Sequence, residues 1–224
     1  MNWLERSVEK SKKFRTHYTM KGIDIFIKDM LPENIDPDVV FKFISKRIPS
    51  HFFSNIDIVY IGDFGIFDEK ETNAVFNNGA IMISNKQDDV NDMIDDIVHE
   101  IAHATEEKYY NLIYEDQVLK KEFLGKRQRL YQSLVYNDYK PISGIRNTYL
   151  YSKKIDMYFY KDVGYESLWY LINGLFPTPY AVTSLREYFA VGFEHYFLKD
   201  RASLKRDCPI LYSKLAEIEF PEDK

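Results

Sequence analysis

From about Asp89 to Tyr109, Val90, Met93, Ile94, Ile97, Val98 and Ile101 recur at helical spacing, an apolar stripe that predicts a half-buried helix. Inside it stands His99-Glu100-Ile101-Ala102-His103. Four residues along a helix bring a side chain back to within about 40° of its starting azimuth, so both imidazoles leave one face and can reach a single cation. Glu100 lies on the neighbouring edge of that face, where a carboxylate can take a proton from a water on the same cation. A helix that presents such a set must be rigid and anchored by its other side, as the stripe provides. The plain alternative is two imidazoles extending a solvated face, with Glu100 paired to a surface Lys.

Composition narrows the classes. The 224 residues, 45% hydrophobic, suffice for one domain, or one domain with a helical insertion. The formal charge of −5 is dispersed, with neither acidic tail nor basic stripe, which disfavours a nucleic-acid partner. No apolar run approaches the ~18 residues of a membrane span. Near the N-terminus, Glu5, Arg6, Glu9, Lys10, Lys12, Lys13 and Arg15 replace the apolar stretch of a signal peptide. Cys208 is the single cysteine, so no internal disulfide forms. These features lead us to expect a soluble, cytoplasmic protein, and are equally compatible with delivery that leaves no N-terminal signal. The 18 Tyr and 16 Phe predict a core and cleft lined by flat, amphipathic side chains.

The order of elements reads as α+β. Residues 23–28 alternate as a strand, and Asp36-Pro37 caps a helix that Pro49 closes. Ile56 to Ile61 is a buried strand, and residues 62–78 read as turns around a short polar hairpin. Ala80 to Ser84 is a further short strand just before the helix at 89–110. The remainder is mainly helical: 116–136 broken by Gly125, then 150–160, 166–173, 182–198 and 210–218. Absence of repeats and flexible linkers predicts one domain over 1–224, with an N-terminal α/β part at 1–88.

Two His do not complete a hydrolytic zinc site, which generally takes three protein ligands and a water. The longer HExxHxxGxxH pattern fails, because Glu106 and Tyr109 occupy its Gly and third His positions. Glu187, Glu194, His195, His51 and His17 remain. Glu187 and Glu194, two turns apart on one helical face, are not separated by periodicity.

The stretch Tyr180-Ala181-Val182-Thr183-Ser184-Leu185-Arg186-Glu187-Tyr188-Phe189-Ala190 resembles the third-ligand helix of the anthrax lethal factor catalytic domain, whose type of fold the Pro-Pro endopeptidases share. The likeness spans 78–108 and 178–218, including Ala80–Ser84 as an edge strand and a terminal helix around Pro209. It implies a zincin-like fold, with one Zn²⁺ on His99, His103 and Glu187. It further implies Glu100 as general base and Tyr180 as a group assisting the transition state. The chain departs from the pattern at Val191, where relatives commonly carry a second Glu behind the ligands. Asp95, Asp96 and Glu194 are the substitutes the sequence offers. Residues 111–179 read as a helical insertion in the connection to Glu187. The expectation is a zinc endopeptidase of the gluzincin type, its peptide extended along Ala80–Ser84, with no nucleic-acid or membrane partner. The other readings are a zinc-binding interaction protein without catalysis and a virion-associated component.

Overall fold

A computed structural model describes residues 16–70 and 72–221, so the basic and acidic residues at 5–15 lie outside the described part. The chain forms two compact units, Met1–Ala104 and Thr105–Lys224.

The first unit is built on a five-stranded mixed sheet, with strands β1 (His17–Met20), β2 (Ile23–Ile27), β3 (Ile58–Ile61), β4 (Ala74–Asn77) and β5 (Ala80–Ile83). Their spatial order is β1-β2-β3-β5-β4. The three central strands run parallel, and β1 and β4 flank them antiparallel. Register aligns Ile25 with Val59 and Ile81, and Ile27 with Ile61 and Ile83. Ile25, Val59, Ile61, Ile81 and Ile83 are buried, whereas Phe26 and Tyr60 on the opposite face are exposed. One face of the sheet therefore carries the apolar load, as period-2 alternation requires.

Helix α1 (Pro37–Arg47) makes the crossover between β2 and β3. Asp36 starts it by accepting from the Asp38 amide at 2.9 Å, and Pro37 occupies the first turn as expected from its fixed φ. A short helix α2 (Gly65–Lys70) follows β3.

The region 62–78 differs from its sequence reading. Instead of turns around a short polar hairpin, it holds the helix α2 and the strand β4, which pairs with β5. Asn78 and Gly79 both have positive φ, 47° and 82°, which folds β4 back onto β5. Gly79 is needed twice over, since a Cβ there would sit 2.3 Å from an Asp57 carboxylate oxygen. The consequence is a correction: the strand before the histidine-motif helix is interior, with β3 on one side and β4 on the other, and β4 is the edge.

Helix α3 (Val90–Lys108) carries the histidine motif and runs uninterrupted through the boundary of the two units. Asp89 caps it, accepting from the amides of Asn91 and Asp92. The predicted stripe is buried at Met93, Ile94, Ile97, Val98 and Ile101, all at most 5% exposed, and half-buried at Val90 in the first turn.

The second unit is helical, with α4 (Tyr110–Tyr114), α5 (Val118–Tyr136), α6 (Lys153–Met157), α7 (Tyr165–Leu171), α8 (Leu185–Leu198), α9 (Arg201–Asp207) and α10 (Pro209–Glu219). Helix α5 continues through Gly125 without the predicted break. It packs against α4, α7, α8 and α10. Tyr188, Phe189, Phe193, Tyr196 and Phe197 are core, as their spacing predicts. Gly192 lets α8 approach α10, because a Cβ there would fall 2.3 Å from a Leu211 methyl. Among the described residues, no helix is long and apolar enough to cross a membrane.

Candidate metal centre

His99 and His103 leave the same face of α3, one turn apart, with ring centroids 4.8 Å apart and planes at 84°. His103 is buried, His99 is half-buried, and Glu100 between them is 5% exposed. The apolar stripe on the far side of α3 fixes this face, so the two imidazoles are set by the helix itself.

Glu187 stands in the first turn of α8. Ser184 caps that helix, its Oγ accepting from the Glu187 amide at 3.1 Å. A carboxylate in a helix first turn is favoured by the positive end of the backbone dipole. Leading into the cap, the Thr183 carbonyl accepts from Arg127 Nη2 at 2.9 Å and the Leu185 amide bonds the Tyr149 carbonyl at 2.8 Å. Arg127 lies fully buried on α5 and also bonds the Ile145 carbonyl at 3.2 Å. Burial lowers its pKa to about 10, which still leaves it charged near neutrality.

One ligand atom from each of His99, His103 and Glu187 lies within 4.8 Å of the other two, a group that could hold a metal ion. The donor set tests well for Zn²⁺. Two neutral imidazole nitrogens and one carboxylate oxygen suit that borderline cation and leave a tetrahedral position open.

Other candidates go elsewhere. Glu194, two turns along α8, is buried beside Lys199 at 3.9 Å. His17 bonds Asp24 at 2.8 Å, and the His51 ring packs on Phe52. His195 lines a cleft of about 240 Å³ with Trp169, Phe176 and Cys208. Val191 is buried. Asp96 accepts from Gln87 Nε2 at 2.9 Å, and burial pushes its carboxyl up to about 6 against that bond. Tyr180 opens a 3-10 turn at Tyr180–Val182 that leads into Ser184, and the residue is 43% exposed.

Glu106 enters the sequence reading only as a mismatch to a longer motif. It is buried, accepts from the Tyr114 hydroxyl at 2.5 Å, and lies 3.5 Å from Arg186 Nε. The signal was its place seven residues after His99, on the same helical face.

Comparison with protein-family models, curated proteins and solved structures returned no match. The chemistry of the centre therefore rests on its own residues.

Proposed function

We propose that the chain is a zinc-dependent endopeptidase of zincin-like type, with His99, His103 and Glu187 as ligands. The observation that carries this reading is the convergence of those three donors beside the buried carboxylate of Glu100. When bound, Zn²⁺ supplies a Lewis acid and lowers the pKa of a bound water from above 15 towards ~7.

The chain's own groups do the rest. Glu100 accepts a proton from the attacking water as its oxygen adds to the scissile carbonyl. The same carboxylic acid then donates that proton to the leaving amine nitrogen, so Glu100 ends ionised and the C–N bond is broken. The Tyr180 hydroxyl donates a hydrogen bond to the carbonyl oxygen as negative charge gathers there; losing one such donor costs about 3 kcal/mol of barrier.

Ala80–Ser84 offers no open backbone for a substrate, because β5 is paired on both sides. The edge available next to it is β4, and an extended peptide adding there is the mode of recognition we assign: backbone bonds for affinity, pockets for selectivity.

The test is cleavage of a peptide library by the zinc-loaded protein, read by mass spectrometry. Cleavage that a chelator abolishes and Glu100→Gln abolishes supports the reading. Zinc retained with no cleavage of any peptide would turn the assignment to a zinc-binding interaction protein.

A further inference from the structure

Glu106 is a carboxylate in a buried position, where an ionised group is costly unless paired and hydrogen-bonded. Two of its partners come from two different elements. Tyr114, at the end of α4, donates to Oε1 at 2.5 Å. Arg186 Nε lies 3.5 Å from Oε2, and Arg186 is the residue immediately before Glu187 in the first turn of α8. Tyr114 is itself buried, and that burial, reinforced by the charge of Glu106, holds its phenol well above the ordinary range, so it remains a donor.

On the other side Glu106 is three residues beyond His103 in one continuous helix. A turn of α-helix has little freedom, so where Glu106 is held, His103 is held. One carboxylate thus ties the helix of two ligands to the turn that carries the third. We propose that Glu106 is a positioning residue of the metal centre, holding Glu187 in register with His103 through Arg186 and steadied by Tyr114; this rests on the zinc reading above. The effect is geometric. The Arg186 side chain is 56% exposed, and an ion pair of that kind adds little stability by itself. Its importance lies in fixing a ligand set that must be placed within roughly 0.5 Å to bind metal well.

The experiment is a zinc dissociation constant, measured on the full chain by competition with a chromophoric chelator. Wild type, Glu106→Gln, Arg186→Gln, the double variant and Arg186→Lys are compared. Each single Gln variant is expected to bind zinc about tenfold more weakly. The double variant should be no worse than the weaker single, because both break one link, and Arg186→Lys should recover part of the loss. Melting of the metal-free proteins separates a general loss of stability from a loss of register. Lowered melting points with wild-type zinc affinity would overturn the proposal, as would losses that add in the double variant. Should Glu106→Gln fail to fold, Arg186→Gln and Tyr114→Phe carry the same comparison. A wild type that takes up no zinc overturns the zinc reading and this proposal together; wild-type zinc binding with unchanged affinity in the variants overturns this one alone.

Discussion

At the scale of single residues, binding and proton transfer at the proposed centre separate experimentally. Glu100→Gln should retain zinc while peptide hydrolysis falls by about 10²–10⁴, the range for loss of a positioned acid–base group; hydrolysis near the wild-type rate would remove Glu100 from that role. Asp96 has a separate effect, on stability. Burial lifts its carboxyl from 3.8 to about 6 in the folded metal-free protein, so between those values the folded state holds more protons than the unfolded chain. Stability from this group is therefore present at low pH and lost as pH rises from about 4 to 6, a difference on the order of 3 kcal/mol. Asp96→Asn should erase that slope and leave the metal-free variant more stable at pH 7. Urea midpoints across pH that run parallel for the two proteins would contradict it. The residues legible in the sequence were those within one helical turn: His99, Glu100 and His103 announce themselves by spacing. Glu187 did not, because spacing left it level with Glu194, and only the likeness of its flanking residues to a known helix favoured it.

At the scale of elements, the approach to Glu187 depends on α5 as much as on α8. Arg127 reaches from α5 to the carbonyls of Ile145 and Thr183, and Thr183 precedes the Ser184 cap. Arg127→Ala should cost ~3 kcal/mol or more, since it strips two buried carbonyls of their donor. Chemical denaturation measures this, and a loss below ~1 kcal/mol would mean the carbonyls find other partners. Elements with strong periodicity and caps were readable: α1 from Asp36-Pro37, α3 from its stripe, α8 from its aromatic run. The edge of the sheet was not. Asn78-Gly79 is a hairpin signal, but the polar run before it masked the four-residue strand Ala74–Asn77. Pairing is a long-range choice, and a strand so short carries too few side chains to declare it. Helix propensity predicts a break at Gly125, yet packing of α5 on four neighbouring helices outweighs a penalty of about 1 kcal/mol.

At the scale of the whole molecule, a ligand that binds only the folded chain must stabilise it. Zinc at a hundred times its dissociation constant should add about 2.7 kcal/mol, raising the melting temperature of wild type and not of Glu187→Ala. Equal shifts in both would place the metal elsewhere. The fold class was legible in the alternation of short strands and longer helices, and the sheet in the first unit and helices in the second follow that order. What no local pattern conveyed is how residues distant in the chain meet, because that depends on packing summed over many side chains. The central claim is that His99, His103 and Glu187 share one metal ion. Anomalous diffraction at the zinc edge from crystals of the zinc-loaded protein tests it directly. The account predicts a single strong peak roughly 2.0–2.2 Å from one nitrogen of each imidazole and from a Glu187 oxygen. A peak bound by other residues, or none between these three, would contradict it.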